Sequence, residues 1–261
     1  MRWNAKPVRI PGISVKPTGD VRKASGRPDW KNVDVVAVLA HRGALGGRSE
    51  NTLEAFCEAR RIGADGVELD VRLSADAALV VHHDAEIRGA GPISTLKVAD
   101  LPAEVPLLDA AVMACGDLLI NIEMKDLPGE PGFDAAHPLA VLVAAFVAER
   151  NLLERVVVSS FDLTAADAVR AVEPAVATAW LTPSGFHQGL ALDVVVARGH
   201  AALHPHHTSV TPDLVDAAHR AGIVINTWTV DEPDRMQELA TAGVDGIITN
   251  RTDLARAVLS G

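Results

Sequence analysis

Between residues 41 and 125, the chain carries side chains whose types and spacing suit chemistry on a phosphate ester. The set comprises His41, Arg42, Glu68, Asp70, His83, Glu123 and Lys125. It contains oxygen ligands for a metal ion, an acid/base pair and cations that can bind phosphate oxygens. The pattern therefore indicates metal-assisted chemistry on a phosphodiester.

Three carboxylates are predicted to converge on one divalent cation. Glu68 and Asp70 are two residues apart in a predicted strand, so both side chains point to one face. Glu123 lies near the end of another strand. Converging carboxylates repel one another unless a cation lies between them, and an all-oxygen ligand set favours Mg²⁺ or Ca²⁺ over zinc. The plainer alternative is that each carboxylate pairs with a nearby Arg or Lys.

His41 and His83 are the candidate catalytic acid and base, because an imidazole can accept or donate a proton near neutral pH. Each is next to a charged residue, which favours a functional role over that of a plain polar cap. Arg42 and Lys125 are the candidate contacts to a substrate phosphate. The alternative for Lys125 is an ion pair with a neighbouring carboxylate.

Two further positions carry weaker signals. Trp228 ends a predicted strand and could form a wall of the substrate pocket, although a plain core position explains it equally well. The stretch His204-Pro205-His206-His207 has the composition of a metal site, but its proline favours a solvated turn.

Short apolar runs alternate with helical patterns along most of the chain. The runs predict nine strands, at residues 35–40, 66–71, 78–83, 118–124, 156–159, 177–181, 201–204, 224–228 and 246–249. Helices are predicted at residues 52–62, 107–115, 138–149, 163–172, 211–221, 234–242 and 253–259. Nine strands are one more than a closed barrel of eight requires.

The second and third strands are too close in sequence for a parallel crossover, which needs about a dozen residues. They must form an antiparallel hairpin, and a turn centred on Asp76-Ala77 would place Asp70 opposite His83. The other eight strands predict an α/β fold, a (β/α)8 TIM barrel with this extra hairpin around residues 66–83. Active sites of such barrels lie at the carboxyl ends of the strands, where the candidate residues fall.

Length and charge limit the domain organisation and the partners. The 261 residues fit one barrel at residues 32–261, preceded by a basic extension at residues 1–31. A net charge of −10 without a polybasic run argues against nucleic-acid binding. The sequence contains no run of about 18 apolar residues, so stable membrane insertion is not expected, and the cytoplasm is the expected compartment. The oligomeric state is left open.

Short motifs follow one another in an order that is specific, although single motifs are common. They are His41-Arg42-Gly43, Glu50-Asn51-Thr52, Glu68-Leu69-Asp70-Val71, His82-His83-Asp84, Asn121-Ile122-Glu123-Met124-Lys125, Trp228-Thr229-Val230 and Gly246-Ile247-Ile248-Thr249. In this order they resemble the glycerophosphodiester phosphodiesterase family over roughly residues 35–254.

The resemblance implies a (β/α)8 barrel in which His41 and His83 are catalytic and the three carboxylates bind one divalent cation. It also implies that Arg42 and Lys125 contact the substrate phosphate. The implied activity is hydrolysis of glycerophosphodiesters, which are deacylated phospholipids, to glycerol 3-phosphate and an alcohol. Two alternatives are a related enzyme that cleaves another lipid-derived diester and a barrel that binds a glycerophosphate-type ligand without turnover.

The chain departs from the family pattern at two places. The insertion that often follows the His83-Asp84 pair is reduced to Arg88-Gly89-Ala90-Gly91 and a short connection to Pro106, so only a small cap is expected over the substrate. The Asp that usually follows the final Thr is replaced by Asn250, which lies outside the predicted metal ligands.

Overall fold

Eight parallel strands close into a barrel in the computed structural model of the chain, which describes residues 36–43 and 50–259. The first strand pairs with both the last and the second, and these contacts close the ring. A further strand pairs antiparallel with the end of the second strand at the barrel rim. The predicted TIM barrel with an extra hairpin is confirmed. The predicted extension, residues 1–31, lies outside the described residues.

Strands and helices alternate along the described chain as the apolar pattern predicts. The strands are β1 (Ala37–His41), β2 (Gly66–Leu73), β3 (Leu79–Val81), β4 (Glu86–Ile87), β5 (Gly91–Pro92), β6 (Leu119–Met124), β7 (Val156–Ser160), β8 (Ala177–Thr182), β9 (Ala202–Pro205), β10 (Val224–Thr227) and β11 (Gly246–Thr249). All except β3, β4 and β5 belong to the barrel wall.

Helices cover the outside of the barrel. They are α1 (Leu53–Arg61), α2 (Leu108–Cys115), α3 (Pro138–Glu149), α4 (Leu163–Val172), α5 (Gln188–Arg198), α6 (Pro212–Arg220), α7 (Pro233–Thr241) and α8 (Thr252–Leu259). Among the described residues, every helix is too short or too polar to cross a lipid bilayer.

The first helix begins at a defined residue because of its capping side chain. The Thr52 hydroxyl accepts a hydrogen bond from the backbone N–H of Ala55 at 3.2 Å. Glu54 lies in the first turn and arginines in the last, which complements the helix dipole. Phe56 on the inner face is fully buried. The cap and the buried ring together fix the start of α1 against the barrel.

The barrel interior is filled mainly by small and medium apolar side chains. They include Ala37, Leu39, Val157, Ala177, Ala179, Ala202, Val224 and Ile248. Larger apolar residues pack between the strands and the surrounding helices. Side chains alternate along a strand, so residues two positions after an interior residue also point inward, nearer the carboxyl end. His41 follows Leu39 in this way, and the mouth of the barrel is therefore polar.

The register of the β2–β3 hairpin differs by one residue from the prediction. Asp70 lies opposite His82 rather than His83, and the His82 backbone N–H donates to the Asp70 carbonyl at 3.1 Å. The loop has three residues, 75–77, instead of two. Ala77 has a left-handed φ of 63°, the conformation that closes three-residue hairpin loops and that glycine normally supplies.

One helix is absent from the sequence prediction. The apolar pattern predicts nothing helical between residues 182 and 200, yet α5 lies there, capped by His187 and ended by Gly199. Gly189 in its first turn and the exposed Leu190 obscure an amphipathic period. In contrast, the small insertion expected after the His83-Asp84 pair agrees with the structure, which has a β4–β5 hairpin and two short 3₁₀ helices there.

Candidate active site

The three predicted carboxylates converge at the mouth of the barrel. Glu68 and Asp70 share one face of β2, and Asp70 lies directly across from Glu123 on β6. One oxygen atom from each side chain lies within 4.8 Å of the others, and all three side chains are buried. This is the only group of potential metal ligands of this kind found among the described residues.

Burial and mutual repulsion dominate the electrostatics of this carboxylate cluster (Glu68, Asp70 and Glu123). Burial raises the pKa of Glu68 to about 8, and the nearby charge of Asp70 adds to the effect. Burial also raises the pKa of Glu123 to about 7. Burial acts in the same direction on Asp70, but Lys125 and Arg42 outweigh it, so the pKa of Asp70 lies below its usual value. The cluster therefore retains protons unless further positive charge enters it.

The two candidate phosphate contacts point at the carboxylate cluster. Lys125 Nζ lies 3.1 Å from Asp70 Oδ1 and donates a hydrogen bond to Glu123 Oε1. Arg42 Nε lies 3.1 Å from Asp70 Oδ2, while its Nη1 donates to Glu50 at 2.8 Å. The ion-pair alternative for Lys125 is thus what the structure contains. Both cations nevertheless end at the barrel mouth, where their charge is available to an anion.

Asn51, which appears in the sequence analysis only within the Glu50-Asn51-Thr52 motif, is a further site residue. Thr52 takes the capping role, and Asn51 Nδ2 instead donates to Asp70 Oδ2 at 2.8 Å. Its backbone N–H donates to the Arg42 carbonyl at 2.9 Å. Asn51 has a φ of 54°, which asparagine tolerates better than most residues. It therefore fixes a carboxylate and the arginine-bearing loop together.

His41 lies at the end of β1 beside the carboxylate cluster. Its Nε2 atom is 3.9 Å from Glu68 Oε2, and its Nδ1 atom is 2.6 Å from Asn250 Oδ1. Burial lowers the pKa of His41, and the hydrogen bond that His41 donates to Asn250 opposes this only in part. The ring is therefore neutral near pH 7 and presents Nε2 to the cluster.

His83 lies just beyond β3, outside the closed ring of strands. Its Nδ1 atom is 2.7 Å from Asp84 Oδ1, and the two side chains are 40% and 75% exposed. Burial lowers the pKa of His83, and the positive charges of Lys125 and Arg42 add to this, whereas Asp70 and Asp84 raise it. The histidine is thus within electrostatic reach of the same residues as His41, but in a wetter setting.

Arg72 is a second site residue that the sequence analysis missed. It is buried at the end of β2, and its Nε donates to the His83 carbonyl at 2.8 Å. Its Nη1 donates to the Lys125 carbonyl at 3.2 Å and to Glu130 at 2.9 Å. One guanidinium therefore joins the backbone segments that carry His83 and Lys125.

Aromatic rings line the mouth beside Lys125. Trp228 meets Phe161 edge to face at 5.2 Å between ring centroids, and Lys125 Nζ lies 5.9 Å from the Phe161 centroid. Trp228 Nε1 donates to the His204 carbonyl at 2.8 Å, which fixes the indole. Trp228 is half-buried, so its role as a pocket wall stays a prediction.

His204 does not lie in a solvated turn, and this prediction is wrong. His204 and Pro205 belong to β9, and His204 is fully buried inside the barrel, where its Nε2 contacts Asn226 Nδ2 at 3.1 Å. Burial lowers the pKa of His204 to about 3, so the ring is neutral. Proline is tolerated here because it is the last residue of the strand.

The barrel mouth thus combines a buried carboxylate cluster, two cations and two imidazoles. Carboxylate oxygens can hold a divalent ion, the cations can bind an anionic group, and the imidazoles can transfer protons. Cleavage of a phosphate ester requires that negative charge is stabilised and that protons are transferred.

Comparison with known proteins agrees with this chemistry. The sequence model of the glycerophosphoryl diester phosphodiesterase family matches residues 41–254. The glycerophosphodiester phosphodiesterase of Caldanaerobacter subterraneus subsp. tengcongensis is 32% identical in an alignment of 238 residues that covers 82% of this chain and 93% of that protein. A probable glycerophosphodiester phosphodiesterase 2 of Mycobacterium tuberculosis is 33% identical in an alignment of 250 residues that covers 85% of this chain and 89% of that protein.

Solved structures give the same result. A putative glycerophosphoryl diester phosphodiesterase from Silicibacter pomeroyi superposes with a TM-score of 0.76 at 26% identity, covering 87% of this chain and 93% of its own. The glycerophosphodiester phosphodiesterase of Thermotoga maritima does so with a TM-score of 0.71 at 28% identity, covering 84% and 96%. The chain is therefore a phosphoric diester hydrolase and belongs to the glycerophosphoryl diester phosphodiesterase family.

Proposed function

We propose that this enzyme hydrolyses glycerophosphodiesters, the deacylated forms of phospholipids, to glycerol 3-phosphate and an alcohol, with one divalent cation bound. The observation that carries the proposal is the buried carboxylate cluster, with oxygens within 4.8 Å of one another, beside two imidazoles. The names of the relatives supply the substrate class.

The carboxylate cluster fits a hard divalent cation. Among the described residues, the buried Glu68 Oε1 has no hydrogen-bond partner, and Asp70 Oδ1 has only the Lys125 ammonium group 3.1 Å away, so a cation could satisfy both oxygens. Glu68, Asp70 and Glu123 offer oxygen atoms alone, and such a set suits Mg²⁺ or Ca²⁺. When bound, the ion would act as a Lewis acid that stabilises negative charge on the phosphate.

Arg42 and Lys125 are the proposed phosphate-binding residues. Both are ion-paired with the carboxylate cluster, Arg42 through Asp70 and Lys125 through Asp70 and Glu123. Arg42 offers a planar fork of donors and Lys125 a compact charge, so together they can bind several phosphate oxygens. Trp228 and its aromatic neighbours would border the substrate on the Lys125 side.

His41 and His83 are the proposed proton-transfer residues. One imidazole accepts the proton of the attacking hydroxyl group as its oxygen bonds to phosphorus. The other donates a proton to the alcohol oxygen as its bond to phosphorus breaks. In the scheme implied by the family resemblance, the neighbouring glycerol hydroxyl attacks first, and water then opens the cyclic phosphate.

A phosphate-release assay coupled to a phosphatase tests the proposal on a panel of glycerophosphodiesters with different alcohols. We expect hydrolysis that EDTA abolishes and that added Mg²⁺ or Ca²⁺ restores. Glu123→Gln should remove activity, whereas the same change at the exposed Glu149 on α3 should leave it intact. Undiminished hydrolysis in excess EDTA, or no hydrolysis of any diester with metal present, would overturn the proposal.

A further inference from the structure

A hydrogen-bonded chain leads from His41 away from the carboxylate cluster. β1 and β11 are parallel neighbours, and Ala40 pairs with Thr249. The residues that follow them, His41 and Asn250, therefore lie side by side, and His41 Nδ1 is 2.6 Å from Asn250 Oδ1. Asp231, which precedes α7, lies on the far side of Asn250.

Asp231 determines which way the Asn250 amide faces. Asp231 Oδ2 accepts a hydrogen bond from Asn250 Nδ2 at 2.8 Å. Asp231 Oδ1 accepts from the backbone N–H of Asn250 at 2.8 Å and from the Thr249 hydroxyl at 3.0 Å. A carboxylate can only accept hydrogen bonds, so the amide NH₂ group must face it. The amide oxygen of Asn250 consequently faces His41.

The amide oxygen in turn determines the tautomer of His41. An amide oxygen has no proton to give, so a 2.6 Å contact requires His41 Nδ1 to carry the hydrogen. In the neutral ring, Nε2 then holds the free lone pair, and Nε2 is the atom that faces the carboxylate cluster, 3.9 Å from Glu68 Oε2. The opposite tautomer would present an N–H group at that point.

We propose that Asp231 and Asn250 are positioning residues that hold His41 in its Nδ1–H tautomer, so that Nε2 accepts the proton in the first step of hydrolysis. The assignment of His41 as proton acceptor rests on the proposed function, whereas the tautomer follows from the hydrogen bonds alone. Asn250 provides the orientation without placing a negative charge next to the ring. His83 is then the proton donor of that step.

An exchange of the two side chains tests the chain of hydrogen bonds. In Asp231→Asn, the new amide nitrogen can replace Oδ2 and face the NH₂ group of Asn250, donor against donor. Asn250 should then turn its amide and donate to His41 Nδ1, which enforces the Nε2–H tautomer. Combining Asp231→Asn with Asn250→Asp returns an acceptor to His41 and should restore the Nδ1–H tautomer.

The measurement is a two-bond ¹H–¹⁵N spectrum of the full chain, with ¹⁵N-labelled histidine and Mg²⁺ present. His41 is identified by the signals that His41→Gln removes. We expect Nδ1–H in the wild type and the exchanged double variant, and Nε2–H in Asp231→Asn. Activity should fall by about 10²–10⁴-fold in Asp231→Asn and recover in the double variant. Asp253→Asn, on the exposed start of α8, is the control that should change neither.

An unchanged His41 tautomer in Asp231→Asn would overturn the proposal, as would failure of the double variant to restore Nδ1–H. If Asp231→Asn does not fold, Asn250→Ala serves instead, and it should populate both tautomers because Nδ1 loses its acceptor. The spectrum requires no turnover. A chain that failed to hydrolyse glycerophosphodiesters could therefore still show the predicted tautomers, which separates this inference from the proposed function.

Discussion

His41 and His83 both interact electrostatically with Asp70 of the carboxylate cluster but are held by different parts of the fold. His41 ends a strand of the closed barrel, is 17% exposed, and is fixed by a side-chain network from the neighbouring strand β11. His83 lies on a hairpin beyond the ring, is 40% exposed, and is held through its backbone carbonyl by Arg72. The barrel thus holds His41 rigidly and leaves His83 closer to solvent.

Because of this difference, the two histidines suit different proton transfers. A buried histidine with an oriented ring suits proton abstraction at a defined atom, whereas an exposed histidine beside a carboxylate suits donation to alcohols of varying size. Among the described residues, the segment that follows His83 contributes only the small β4–β5 hairpin and two short 3₁₀ helices as a cap.

The largest expected effects come from removing the histidines themselves. His41→Ala and His83→Ala should each lower the rate on glycerophosphocholine by about 10²–10⁴-fold. A glycerophosphodiester with p-nitrophenol as its alcohol needs no proton on the leaving oxygen, so it should recover most of its rate in His83→Ala and little in His41→Ala. Steady-state kinetics on both substrates makes the comparison. The reverse pattern would exchange the assigned roles.

The stability of the metal-free protein should depend on pH in a direction set by Glu68. The pKa of Glu68 is raised from 4.5 to about 8 in the folded chain. At pH values between these two, the folded state therefore binds more protons than the unfolded state. Stability should therefore fall as pH rises through this range. Thermal unfolding in EDTA measures it, and Glu68→Gln should flatten the dependence. A Tm that rises steadily from pH 5 to 8 in EDTA would contradict the expectation.

Arg72→Met should affect the His83 side selectively. The substitution leaves the carbonyls of His83 and Lys125 without their donor, which should cost about 1–3 kcal/mol of stability. The rate should fall more for glycerophosphocholine than for the p-nitrophenyl substrate, because His83 is displaced. Arg251→Met, at an exposed position, is the matched control. Equal loss on both substrates would indicate a general structural effect instead.

Asp84→Asn should have the smallest effect. The contact between Asp84 and His83 is exposed, and such pairs contribute about 0–1 kcal/mol, which corresponds to less than about a tenfold change in rate. By contrast, Asp231→Asn, which acts on His41, should cause a large loss of rate. Rates for the two variants under identical conditions make the comparison, and a loss of similar size in both would remove the proposed distinction.

Much of this arrangement is predictable from local patterns. Strand periodicity indicates that Glu68 and Asp70 share a face, and loop length indicates the hairpin, because both depend on residues close in sequence. The predicted register of the β2–β3 hairpin is wrong by one residue because Ala77 takes a left-handed conformation, which an alanine does not predict. The helix α5 was missed because its polar and apolar residues lack a clear period.

The supporting contacts are not predictable in this way because they join distant strands. Asn250 meets His41 only once β11 closes the ring against β1, and Asp231 reaches Asn250 from the loop before α7. Arg72 contacts Lys125 and Glu130, which lie more than fifty residues after it in the sequence. Each of these residues is an ordinary polar residue until the barrel closes, when it acquires a buried or half-buried partner.

The central claim is that the carboxylate cluster binds one divalent cation. The direct measurement is a calorimetric titration of EDTA-treated, dialysed protein with Mg²⁺ and with Ca²⁺ at pH 7, in two buffers of different ionisation enthalpy. The account predicts one site per chain, with proton release because the pKa of Glu123 lies near 7 and that of Glu68 near 8, and loss of the site in Glu123→Gln. Absence of binding, or binding that Glu123→Gln leaves unchanged, would contradict it.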